Sequence, residues 1–273
     1  MAARRIHIDC ETYRTRNQAV IDRIKKESIE ATPAQSVAKA KKDDWHTDEA
    51  IAERVKCALA KTSVQPLYAE ILTICIKTEG SFSYTIDAME QTELSALIEF
   101  TDIVGSLSNE NTIWTAFNGK KFDFMLLLNS MVRHGVRPPE HFPVYAGGWR
   151  GRIFDTMERM PTPDIYTSFV SACEAYGIEC KTSLWKGEPM NGSRVGDAYE
   201  AGEYQIIRDY CMDDVLHEEQ LYLAMTHNDT WGTFDNGSND LAVLSEIALD
   251  DDMSPAHKWA AAYPILKSAR LIL

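Results

Sequence analysis

The chain reads as an α/β domain, a mixed five-stranded sheet flanked by helices. Two observations predict this. Stretches with the two-residue alternation of strands and stretches with helical spacing follow one another in the order strand, helical insertion, strand hairpin, helix, strand, helix, strand, helices. A hairpin followed by β-α-β units makes a sheet with antiparallel and parallel pairs together, and places helices on its faces.

The first strand is expected over residues 4–11, where Ile6, Ile8 and Cys10 share one face and His7, Asp9 and Glu11 the other. Residues 17–30 and 47–61 have helical spacing, with Thr47 before Glu49 and Ala50 as a helix start. The polar stretch between them lacks periodicity. Residues 70–78 and 81–87 are β-rich and separated by Glu79-Gly80, a hairpin signal. Residues 90–106 are helical, residues 112–118 an apolar strand, and residues 120–135 a helix that ends at Gly135 ahead of Pro138-Pro139. A short strand over 152–156, a helix over 164–177 stopped by Gly177, and one long helix over 199–226 complete the core. The last 45 or so residues read as short helices packed outside it. The domain organisation expected is therefore a core over 1–226, interrupted by a helical insertion over 12–66, and a helical extension over 227–273.

Net charge is −13, which argues against a protein that coats long duplex DNA through bulk electrostatics. It leaves open a pocket that binds a few nucleotides through metal ions and a local basic rim. The six cysteines form no C-x-x-C pair, so neither a zinc site nor a disulfide framework is expected. No stretch is long and apolar enough to span a bilayer, and the N-terminus has no apolar signal core, so a cytoplasmic protein is expected.

The chemistry begins at Asp9 and Glu11. Two carboxylates pointing the same way from one strand repel each other unless water or a cation lies between them. Three further patches bear on which it is. FNGKKFD, residues 117–123, leaves a strand at Asn118 and enters a helix carrying Asp123 near its first turn. Capping of backbone N–H groups is the ordinary role for a carboxylate there. IIRDYCMDDV, residues 206–215, places Tyr210, Asp214, His217 and Leu221 on one helical face, so Asp214 interrupts an apolar stripe and needs a partner. Asp213 sits about 100° round the helix and reads as the solvated neighbour. IFDT, residues 153–156, ends a strand at Asp155, where capping or support of the site is the default.

In order along the chain, these patches resemble the DEDD superfamily of 3′-to-5′ exonucleases, which have the ribonuclease H-like fold. The subtype is the one with tyrosine in its third motif, as in the proofreading domains of family-A and family-B DNA polymerases and their stand-alone phage and bacterial relatives. The first motif, D-x-E, is Asp9-Cys10-Glu11; the second, N-x-x-x-[FY]-D, runs from Asn118 to Phe122-Asp123; the third, Y-x-x-x-D, runs from Tyr210 to Asp214. The likeness covers about residues 4–226, and the insertion after the first strand departs from it.

The resemblance implies two-metal-ion hydrolysis of a phosphodiester, with two Mg²⁺ or Mn²⁺ ions held by Asp9, Glu11, Asp123 and Asp214. Oxygen ligands without Cys or His suit these hard cations. Asp9 is expected to bridge the ions, and Tyr210 to orient the attacking water rather than act as base, since an ordinary tyrosine titrates near 10. Asn118, Lys121 and Phe122 are the expected substrate contacts. Lys120, Arg150, Arg152, Lys181 and Lys186 are candidates for a basic rim, and Trp149 and Trp185 for base stacking, although core packing is the ordinary role of a tryptophan. His7 and His217 flank the acidic positions without an assigned role.

The substrate expected is a single-stranded nucleic acid end, with DNA favoured over RNA; a protein partner would meet the 12–66 insertion. The alternatives are a ribonuclease that trims short RNA, and a catalytically silent binding protein on the same fold.

Overall fold

The computed structural model describes residues 5–34, 44–79, 82–143, 152–160, 167–180 and 183–226. The expected 227–273 extension lies outside them, as do Trp149, Arg150 and Lys181. In chain order the elements are β1 (Arg5–Tyr13), α1 (Gln18–Glu30), α2 (Asp48–Ala60), a 3-10 turn (Lys61–Val64), β2 (Glu70–Thr78), β3 (Ser83–Asp87), α3 (Glu93–Leu107), β4 (Ile113–Ala116), α4 (Asp123–His134), β5 (Ile153–Asp155), α5 (Phe169–Ala175), the short strands β6 (Leu184–Trp185) and β7 (Glu188–Pro189), α6 (Gly192–Glu200) and α7 (Tyr204–Thr226).

The expected mixed sheet is observed, in the order β3-β2-β1-β4-β5. β1 pairs antiparallel with β2 and β2 with β3, whereas β1–β4 and β4–β5 are parallel. The carboxyl ends of β1, β4 and β5 therefore open on one edge, the side on which α/β sheets place their ligands. The alternation of β1 separates two layers. Ile6, Ile8 and Cys10 join Ile74, Ile76, Ile86 and Trp114 against Leu97 and Phe100 of α3 and Phe124, Leu127 and Met131 of α4. On the other face, α6, α7 and the β6–β7 hairpin bury Tyr13, Leu72, Trp185, Val195, Ile207 and Tyr210. Removing each large side chain of this kind from water contributes about 1.5–3 kcal/mol, and that burial holds the layers on the sheet.

Several boundaries differ from expectation. β1 runs on to Tyr13 through a register shift between Glu11 and Thr12, so the helical insertion leaves the sheet later than residue 12. β4 stops at Ala116 and α4 begins only at Asp123, which leaves Phe117–Phe122 as a turn. The 164–177 helix is confined to Phe169–Ala175 within the described residues. The long helix expected over 199–226 is α7, which starts only at Tyr204, behind a separate α6 that ends at Glu200. Gly202 adopts φ +76 between them, a left-handed conformation in which glycine has no Cβ to clash. Among the described residues, no helix is long and apolar enough to cross a membrane.

Candidate active site

Asp9 and Glu11 lie near the carboxyl end of β1, on the side of Asp214 of α7. One carboxylate oxygen each from Asp9, Glu11 and Asp214 lie within 4.8 Å of one another, with Glu11 and Asp214 buried and Asp9 half-buried. These residues can hold a metal ion. The donors are all carboxylate oxygens, the chemistry that hard divalent cations prefer. The local reasons are simple. A strand places Asp9 and Glu11 on one side, and the stripe of α7 that buries Ile207, Tyr210 and Leu221 turns Asp214 inward with them.

Asp123 stands beside this group, not within it. It is the first residue of α4, and its Oδ1 accepts the backbone N–H of Cys10 at 3.1 Å, so it bridges two elements instead of serving as a simple cap. Burial, then the charges of Asp9 and Asp155, push its carboxyl well above the ordinary carboxylate range. Tyr210 is buried, and its hydroxyl bonds to Asp214. Burial first, followed by the charges of Glu11, Asp214 and Asp9, drives its pKa far above that of an ordinary phenol. Its one O–H serves Asp214 and leaves the phenol oxygen as an acceptor.

The turn that delivers Asp123 is held by a residue the sequence left in a supporting role. Asp155 is fully buried at the end of β5, beside Ala116 in the parallel ladder. Its two oxygens accept the N–H groups of Asn118 at 3.0 Å and Lys120 at 2.9 Å, and that of Glu158 at 3.3 Å. Asn118 has φ +60, a left-handed conformation that few residues other than glycine adopt. Gly119 is required sterically, because a Cβ there would lie 2.4 Å from the Cβ of Ala116.

Of the expected substrate contacts, Asn118 and Phe122 are half-buried and Lys121 is exposed. Phe122 packs on the main core and Lys120 pairs with Glu158 at 2.8 Å. Arg152 and Lys186 are exposed. Trp185 is buried, with the cations of Lys186 and Arg194 over its ring at 4.2 and 4.8 Å, so it is closed to base stacking. Asp213 accepts the Ser183 hydroxyl at 2.5 Å and is half-buried, not freely solvated as expected. Sequence reasoning missed the β6–β7 hairpin, although the Lys186-Gly187 pair between two strands is a two-residue turn signal.

Fold and site together define an α/β domain with a carboxylate cluster at the strand ends. No family model matches the chain, and no curated protein matches it. Among solved structures, the chain is similar to the family B DNA polymerase from the hyperthermophilic archaeon Pyrobaculum calidifontis, with a TM-score of 0.51 and 13% identity. The similarity covers 94% of this chain and 27% of the polymerase chain. At this identity the likeness concerns the fold.

Proposed function

We propose that the chain is a metal-dependent nuclease, a 3′-to-5′ exonuclease acting on single-stranded DNA ends. The observation that carries the reading is the convergence of Asp9, Glu11 and Asp214 within 4.8 Å, from one strand and one distant helix. Support comes from the fold shared with a family B DNA polymerase, one of the classes whose proofreading domains the three motifs resemble. Polarity comes from that resemblance.

In this reading Asp9, Glu11 and Asp214 hold one Mg²⁺ or Mn²⁺ ion, and Asp123, together with Asp9, serves a second. Two such cations, when bound, supply charge neutralisation for the phosphate oxygens and a lowered pKa for the attacking water. The chain's own groups position the reactants. Tyr210, protonated and donating its O–H to Asp214, orients the water by accepting a hydrogen bond from it on the phenol oxygen. The turn at Asn118–Phe122 meets the terminal nucleotide, and Lys121 offers an exposed cation to a phosphate.

End-labelled DNA and RNA oligonucleotides, incubated with Mg²⁺, Mn²⁺ or EDTA, test this. Stepwise shortening from the 3′ end with either metal, none in EDTA, and none in Asp9→Ala or Asp214→Ala proteins that keep their circular dichroism, is the expected result. Faster loss of RNA would move the substrate to the ribonuclease alternative. Metal-independent cleavage, or full activity in Asp9→Ala, would remove the proposal.

A further inference from the structure

The strand and the helix that carry the acids meet in a repeating pattern. Arg5, His7, Asp9 and Glu11 step along β1 by two residues, and Tyr210, Asp214, Glu218 and Tyr222 step along α7 by four. Glu11 is the strongest charged influence on Tyr210, and Asp9 shares the acidic cluster with Asp214. His7 pairs with Glu218, and the Arg5 guanidinium lies 5.4 Å from the centre of the Tyr222 ring. Two strand residues advance about 6.6 Å and four helix residues about 6 Å, so the rungs stay in register along the whole face.

The His7 rung is built for direction. His7 is fully buried and Glu218 nearly so. His7 Nδ1 meets Glu218 Oε2 and the Thr115 hydroxyl, the latter at 2.5 Å, and the same hydroxyl donates to Glu218 Oε2 at 3.1 Å. Thr115 lies opposite His7 in the parallel β1–β4 ladder, so one carboxylate on α7 is gripped by two adjacent strands. For stability alone, an apolar pair of similar volume serves a buried site as well as a polar one. What a directional contact adds is register. A slip of one residue along α7 would carry Asp214 about 1.5 Å along the helix and 100° around it, out of reach of Asp9.

We propose that His7, Thr115 and Glu218 are positioning residues, a clamp one rung behind the acidic cluster that sets α7 on β1 so that Asp9 and Asp214 face the same cation. The proposal rests on the reading of Asp9, Glu11 and Asp214 as metal ligands. The clamp holds the register while those carboxylates, bare of a cation, repel one another.

Mn²⁺ titrations followed by the free-ion electron paramagnetic resonance signal test it without reference to turnover. In a His7→Leu/Glu218→Leu protein the melting point is expected to hold or rise while Mn²⁺ affinity falls about 10- to 100-fold, the usual effect of removing groups that orient metal ligands. Unchanged Mn²⁺ affinity would overturn the clamp, whether the melting point moves or not. Should the double variant fail to fold, Thr115→Val removes one of the two groups that grip Glu218; weaker Mn²⁺ binding supports the clamp, and wild-type affinity overturns it. Absence of Mn²⁺ binding in the unaltered protein, or equal binding in Asp9→Asn, would instead remove the metal-site reading, and with it the clamp.

Discussion

Replacing Asp155 by alanine would show how much of the site depends on a residue that does not belong to the acidic cluster. Its carboxylate accepts the N–H groups of Asn118, Lys120 and Glu158, and it is fully buried. Alanine leaves the first two donors in the turn without an acceptor, and each orphaned donor costs about 1–3 kcal/mol. Relief of a buried carboxylate, whose pKa burial has raised, offsets part of this. A net loss of about 2–4 kcal/mol is expected, which in a domain of this size lowers the melting point by roughly 5–15 °C. The turn would also release Asn118 from φ +60, and Asp123 would lose its hold on the Cys10 N–H. Hydrolysis should therefore fall further than the melting point implies, in assays run well below the transition. Asp155→Asn keeps one acceptor oxygen and should land between. The assay is a thermal melt by circular dichroism beside oligonucleotide hydrolysis at saturating Mg²⁺. A melting point within about 2 °C of the unaltered protein would refute the role given to Asp155.

Three further outcomes follow from the same structure. Gly119→Ala places a methyl 2.4 Å from Ala116 Cβ and 3.0 Å from the Phe124 ring; a loss of about 1–3 kcal/mol with impaired hydrolysis is expected by melting and oligonucleotide assay. Tyr210→Phe should lower turnover about 10²-fold with little change in KM, since orientation and not binding is removed. Glu93 joins α3 to the end of α4 through Arg133 and His134 at 3.0 and 3.1 Å. Burial works to raise its pKa, but His134, Arg133 and Ser130 outweigh it and the net shift is downward. Its stabilisation is thus complete above the ordinary value of 4.5 and is lost as pH falls through the lower folded value. Glu93→Gln should destabilise by about 1–3 kcal/mol at neutral pH, and the gap in melting point should close on acidification.

Much of the fold was legible because periodicity is local. The alternation of Ile6, Ile8 and Cys10 with His7, Asp9 and Glu11 required only strand geometry, and the observed sheet keeps that division of faces. Asp214 was legible for the same reason, as a charge on a stripe that had to be buried. The break at Gly202 was missed because helical spacing continues across it, and only the backbone conformation at that residue marks the end. The hairpin at Lys186-Gly187 was missed because two-residue strands are too short to show alternation.

What the sequence by itself determined is which side chains share a face, since strand and helix periods are set by the backbone of each segment alone. The tertiary structure alone decided which face meets which. It matched steps of two on β1 to steps of four on α7, brought Thr115 beside His7, gave the Asn118 turn to Asp155, and tied Asp123 to the Cys10 N–H. The Asn118–Asp155 and His7–Glu218 pairings join residues 37 and 211 positions apart, and such partners are chosen by packing and hydrogen bonding across the closed fold, which no local period encodes.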